Sequence, residues 1–191
     1  SRVEALTGGK THELWGGTFH AIGNRLLRQH GELAGLRANY SILDAEDQRD
    51  LIKVCVTDSG VKVEEKRFPA PAILQDVISM AFNTQRSLAA DIEERTPHFA
   101  MWTPEVERIA ARYEAKKRAA NAVDYDDLLR FWLRLVEDRP EFAARLGRQF
   151  RHLLVDEYQD TNLVQARIVE RISEHNGRNL MVVGDDAQCV M

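Results

Sequence analysis

A chain of 191 residues, 44% hydrophobic and 29% charged, is long enough to bury a core and has the make-up of a soluble globular protein. Its 26 basic and 30 acidic side chains leave a net charge of -4, which excludes a global basic footprint for nucleic acid and confines any such contact to a local patch. No apolar run approaches the ~20 residues that span a bilayer, and no signal peptide opens the chain. The two cysteines, Cys55 and Cys189, lie too far apart to form a ligand spacing, so a reduced cytoplasmic setting is expected. Ser1 at the start and Met191 just past a motif read as cuts inside a longer protein.

Gly8-Gly9-Lys10-Thr11 invites a phosphate-loop reading. It fails the spacing, because the required earlier glycine falls on Glu4, and a plain turn is the better reading. Leu14 to Thr18 reads as a short strand. Phe19, Ile22, Leu26 and Leu27 share one helical face, which predicts a helix from about His20 to Gly31. Thr18, Phe19 and His20 would then sit at a strand-to-helix junction. A helix N-terminus attracts phosphate, and an aromatic ring there can stack on a base. The plainer alternative makes Phe19 core and His20 a capping side chain.

Residues 38–122 read as a helical unit. Asp44 caps a run from Ala45 to Val54. Residues 55–68 read as a loop or weak strand pair, with Pro69 and Pro71 as punctuation. Leu74, Val77, Ile78 and Ala81 mark another helix. Thr103-Pro104-Glu105 starts a further one, with Thr103 as N-cap and Pro104 at the first position. Lys116, Lys117 and Arg118 end it, either as a solvated face that suits the helix dipole or as a track for a DNA backbone.

Asp124 caps a helix whose face is Tyr125, Leu128, Leu129, Trp132, Leu135 and Val136. Phe131 and Leu133 lie off that face and predict burial on two sides. Asp124, Asp126 and Asp127 are read as cap and first-turn acids rather than a metal cluster. Pro140 opens a helix to about Gln149. Leu153-Leu154-Val155 then reads as a buried strand running into Asp156-Glu157, followed by a helix from Asn162 to about 175 and a second strand, Leu180 to Val183. One βαβ unit of this kind brings Asp156, Glu157, Gly184 and Asp185 to one sheet edge, where ligands of open α/β sheets bind. An Asp-Glu pair there suits one acid holding Mg²⁺ through its waters and the other taking a proton from an attacking water. The plainer reading is an acidic strand end that caps the next helix.

Asp156-Glu157-Tyr158-Gln159-Asp160-Thr161-Asn162 resembles motif II, the Walker B box, of the UvrD/Rep/PcrA family of superfamily 1 DNA helicases. Val183-Gly184-Asp185-Asp186-Ala187-Gln188 resembles the start of motif III, and Gly17-Thr18-Phe19-His20 resembles motif Ic. Asp124-Tyr125-Asp126-Asp127-Leu128-Leu129 resembles the segment where the family chain re-enters its first ATPase domain. The resemblance implies an α/β fold: an incomplete RecA-like P-loop NTPase parallel sheet with an inserted all-helical subdomain. Residues 1–37 and 123–191 would form the partial ATPase domain, and 38–122 the insertion.

It also implies ATP and Mg²⁺ as cofactors and a 3′-to-5′ helicase or translocase acting in repair or replication. The implied partners are single-stranded DNA, its junctions with duplex, and the remainder of the same polypeptide. The implied place is the bacterial nucleoid. Asp156 would hold the ion, and Glu157 would polarise the attacking water. Gln188 would sense the γ-phosphate, with Gln159 and Asp185 also facing the nucleotide. Gln159 and Asp160 would tie the two motifs together, and Thr18, Phe19 and His20 would touch DNA. The chain departs from the family in having no GxxxxGK[ST], and in placing Cys189 and Met191 where serine and an aromatic are commoner. It is therefore expected to show no turnover by itself. Three alternatives stay open: the motor of a recombination nuclease-helicase, a non-catalytic DNA-binding relic of the fold, and an unrelated Mg²⁺ hydrolase using Asp156, Glu157, Asp185 and Asp186.

Overall fold

The computed structural model describes residues 14–61 and 68–185. Gly8 to Thr11, Asp186, Gln188, Cys189 and Met191 therefore lie outside the described residues.

Helix α1, Phe19–His30, starts behind Thr18, whose hydroxyl accepts the Ala21 N–H at 3.2 Å, and ends at Gly31. Strand β1, Ser41–Ile42, leads to α2, Ala45–Asp58, which is opened by a capping box between Asp44 and Asp47. Next come α3, Pro71–Thr84, and α4, Leu88–Arg95. A 3-10 turn, Pro97–Trp102, precedes α5, Thr103–Ala120. Strand β2, Ala122–Val123, is followed by α6, Tyr125–Asp138, and α7, Pro140–Gln149. The chain closes with β3, Leu153–Val155, α8, Leu163–Ser173, and β4, Leu180–Val182.

Two apolar clusters divide these elements. Leu26 and Leu27 of α1, Leu128, Trp132 and Leu135 of α6, Leu146 of α7 and Ile168 of α8 build one. Ile52, Leu74, Ile92, Ile109 and Tyr113, from α2 to α5, build the other. Burying each such large side chain contributes about 1.5–3 kcal/mol, so each cluster can hold its own helices. The chain leaves the first cluster at β1 and returns at β2. These strands pair in parallel, Ser41 with Ala122 and Ile42 with Val123, which sets the two ends of the excursion side by side. α1 lies close on α6: a Cβ placed on Gly23 would stand 3.2 Å from the Trp132 ring.

Much of the expected helix pattern is present. α6 begins behind Asp124, which forms a capping box with Asp127, and buries Leu128, Leu129, Trp132, Leu135 and Val136 of its stripe together with Leu133, while Tyr125 at its first position stays exposed. Other expectations are corrected. Leu14 to Thr18 is not a strand: Gly16 and Gly17 weaken strand formation, and Gly17 sits at φ 149. The helix expected to stop at Val54 runs to Asp58, so the loop reading of 55–58 fails. Thr103 is already helical (φ -50, ψ -47) and caps nothing, because a 3-10 turn feeds directly into α5. Lys117 is no solvated residue: it is 2% exposed and ion-paired with Asp124 and Asp127 across the seam between the clusters.

The expectation of a buried strand also fails in part. β3 and β4 pair with each other in parallel, Leu153 with Leu180 and Val155 with Val182. Among the described residues no further strand joins them. Val155 is buried, but Leu154 is 75% exposed and Met181 60% exposed. Leu153 packs against the first cluster and Val155 is buried, whereas Leu180, Met181 and Val182 of β4 are all exposed.

Candidate active site

β3 hands the chain to Asp156 and Glu157, and β4 hands it to Gly184 and Asp185. The parallel pairing puts both exits at one end of the ribbon. Backbone bonds stitch them together: Val183 N–H donates to Val155 O at 2.8 Å, and Tyr158 N–H donates to Val183 O at 2.9 Å. Glu157 takes a left-handed backbone (φ 50, ψ 46), which costs a non-glycine residue about 1–2 kcal/mol. That bend starts the 3-10 turn Tyr158–Asp160 and leaves both carboxylates exposed. The Asp156 carboxylate accepts the Glu157 N–H at 3.0 Å.

Gln159 joins the two motifs. Its side-chain N–H donates to the Glu157 carboxylate, and its Oε1 accepts the Asp185 N–H at 3.1 Å. One amide thus reads the second acid on one side and the end of β4 on the other. Asp160 bonds within its own turn, N–H to Glu157 O at 2.9 Å. The tie needs glycine beside it: a Cβ on Gly184 would stand 2.7 Å from Gln159 Oε1 and 3.3 Å from Gln159 N. Gly184→Ala is expected to push the Gln159 side chain out and free the Glu157 carboxylate. The check is the Gln159 side-chain amide resonances, which should lose protection while far-ultraviolet circular dichroism stays unchanged.

A groove of about 1070 Å³ runs beside β3. Thr18, Phe19 and His20 line it together with Asp156, Glu157 and Asp160. Residues 138 positions apart in sequence, 18 and 156, therefore share one cleft. Phe19 leans on Trp132 with ring centroids 6.3 Å apart, so it serves the core. His20 does not cap α1, since Thr18 does; its ring meets the edge of Tyr125 at 5.6 Å. Burial lowers the His20 pKa below the ordinary imidazole range, so the ring is neutral at pH 7 and offers stacking and hydrogen bonding rather than charge. Arg148, Arg151 and His152 line the groove where β3 begins. This basic run stood in the sequence unremarked, because it straddles a helix end and a strand start.

Among the described residues, no group of three or more His, Cys, Asp or Glu could hold a metal ion. Asp156 by itself offers one exposed carboxylate. That fits Mg²⁺, which keeps several waters and takes its other ligands from substrate phosphates.

The fold and site define a class: an α/β domain, mostly helical, that presents paired carboxylates at the end of a small parallel sheet. The chain belongs to the UvrD/REP helicase N-terminal domain family, whose model matches residues 1–191. It is 35% identical over 204 residues to the ATP-dependent DNA helicase UvrD1 of Mycobacterium leprae, covering 99% of this chain and 25% of that protein. It is 31% identical over 189 residues to the ATP-dependent DNA helicase PcrA of Bacillus subtilis, again covering 99% of this chain and 25% of the relative. PcrA of Leuconostoc citreum is 32% identical over 178 residues, covering 93% of this chain and 23% of that protein. The chain thus spans about a quarter of the length of these relatives.

Proposed function

We propose that the chain is part of an ATP-dependent DNA helicase or translocase that moves 3′ to 5′ on single-stranded DNA and engages its junctions with duplex in repair or replication. The observation that carries this reading is the bridge that Gln159 makes between Glu157 and Asp185, beside a groove that Asp156 and Glu157 line together with Thr18 and His20. Residues 1–37 and 123–191 form part of a RecA-like ATPase domain, and 38–122 an inserted helical subdomain. The two apolar clusters and the β1–β2 pairing support that division.

In this reading Asp156 holds Mg²⁺, which when bound neutralises charge on the nucleotide phosphates. Glu157 accepts the proton of the water that attacks the γ-phosphorus. The bond from that phosphorus to the β,γ-bridging oxygen breaks, and ADP and phosphate leave. Gln159 holds the Glu157 carboxylate in place, Asp185 faces the nucleotide, and Gln188 responds to the γ-phosphate. Thr18 offers a hydroxyl and helix N–H groups to a DNA phosphate, with Phe19 behind it and the neutral His20 ring beside it. The phosphate cradle and a second motor domain come from the rest of the same polypeptide, working at the bacterial nucleoid in the cytoplasm.

The test is ATP turnover by the full-length protein with Mg²⁺, with and without single-stranded DNA, alongside unwinding of duplexes tailed at the 3′ or the 5′ end. DNA-stimulated turnover and a preference for 3′ tails are expected, with residues 1–191 alone inactive. Absence of DNA-stimulated turnover in the full-length protein would falsify the reading.

A further inference from the structure

We infer that Asn83, in the helical excursion, is a positioning residue for the acid pair: it holds the far end of the turn that carries Asp156 and Glu157. This rests on the hydrolytic reading above. The turn is fixed at two places. At its near end it is bonded to β4 through Tyr158 and Gln159. At its far end stands Asn162, the N-cap of α8, whose Oδ1 accepts the Gln165 N–H at 2.9 Å while Gln165 Oε1 accepts the Asn162 N–H at 3.2 Å. The remaining side-chain atom, Nδ2, donates to Asn83 Oδ1 at 2.7 Å. Asn83 lies at the end of α3, 79 residues away in sequence, and its own Nδ2 donates to Ser79 Oγ at 3.3 Å.

A second contact repeats the arrangement. Gln85, the C-cap of α3, holds a left-handed backbone (φ 56) and turns its Nε2 back to Phe82 O at 2.8 Å. That leaves Oε1 to accept from Arg167 of α8 at 3.1 Å, and Arg167 also pairs with Glu137 of α6. The end of α3 therefore aims two amide acceptors at the first turns of α8. A shift of α3 moves Asn162, and Asn162 is five residues from Glu157 along a short, tightly bonded turn. Catalysis by a carboxylate depends on placement to a fraction of an ångström, so this tie couples the excursion to proton transfer at the sheet edge.

The experiment uses the full-length protein and measures DNA-stimulated ATP turnover, with melting temperature as the fold control. Asn83→Leu removes the acceptor, and turnover is expected to fall roughly tenfold in kcat with little change in KM for ATP. Asn83→Asp keeps an oxygen facing Asn162 Nδ2 and is expected to restore kcat. Asn162→Ser keeps a hydroxyl that caps α8 but is too short to reach Asn83, so it should match Asn83→Leu. Should Asn83→Leu fail to fold, Asn162→Ser carries the same test from the other side. Wild-type kcat in Asn83→Leu or Asn162→Ser, or an Asn83→Asp protein as slow as Asn83→Leu, overturns the inference. Glu157→Gln is run beside them. If it turns over at the wild-type rate, Glu157 is not the proton acceptor, and this inference falls with that role. If it is silent while the Asn83 and Asn162 variants are normal, only the positioning role falls.

Discussion

Replacing Lys117 by methionine is expected to cost about 3–5 kcal/mol of stability at pH 7.5, because it strands buried carboxylates without their cation. Lys117 Nζ lies 2.6 Å from Asp124 Oδ2, 2.6 Å from Asp127 Oδ2 and 2.9 Å from Glu114 Oε1. Tyr113 donates its hydroxyl to Asp124 at 2.9 Å, and Arg130 reaches Asp127 at 3.1 Å and Glu114 at 3.0 Å. Burial pulls the lysine pKa down, but Asp124, Asp127 and Glu114 more than offset this and leave it raised. Burial pushes Asp124 up, while the charge and hydrogen bond of Lys117 hold it below the usual range. Burial, then the neighbouring Asp124 charge, push Asp127 up to about 6 against the pull of Lys117.

The pH dependence follows from these directions. Asp127 binds its proton more tightly folded than unfolded, so its contribution to stability rises as pH falls from about 6 towards 4. Asp124 acts the other way, and its contribution is lost below about pH 4, as acid titrates a group whose folded pKa is depressed. Without Lys117 both acids bind protons more tightly. The gap between variant and wild type should therefore narrow as pH drops from 7.5 to 5. Denaturant unfolding at those two pH values checks this. A loss below about 1 kcal/mol would assign the pair to the weakly stabilising surface class, and a gap that does not change with pH would remove the carboxylates as its cause.

Glu157→Gln is expected to lower kcat for ATP hydrolysis in the full-length protein on the order of 10²–10⁴-fold, the usual contribution of a positioned proton acceptor. The change keeps the length of the side chain and leaves Gln159 an oxygen to donate to. KM for ATP and affinity for single-stranded DNA should stay within about threefold, since uniform binding is untouched. Stopped turnover with retained binding, measured by fluorescence anisotropy on labelled DNA, is the expected pair of results. A rate within a few-fold of wild type would move the proton to another acceptor.

The sequence was most readable where a local rule acts by itself. α6 was marked by its unbroken stripe and by Asp124, α7 by Pro140, and α8 by Asn162. The parallel pairing of Leu153–Val155 with Leu180–Val182 followed from two apolar runs separated by one helix. The acid pair could be found for the same reason: strand ends carry chemistry to an edge. α4 went unread because Leu88-Ala89-Ala90 shows little periodicity, although Ser87 offers a cap. Lys117 misled because a basic run at a helix end looks solvated, and the two buried carboxylates it meets, Asp124 and Asp127, lie seven and ten residues on, beyond β2. The bond between Asn83 and Asn162 could not be read at all, since nothing in either local pattern points to a partner 79 residues away.

The exposed apolar residues of the β3–β4 ribbon have a practical meaning. Among the described residues these two short strands pair with no third, and their outward Leu154, Met181 and Val183 make the kind of apolar edge on which strands of other molecules can pair. The chain is expected to associate at high concentration, which light scattering against concentration checks. Replacing Leu154 by lysine is expected to keep it dispersed.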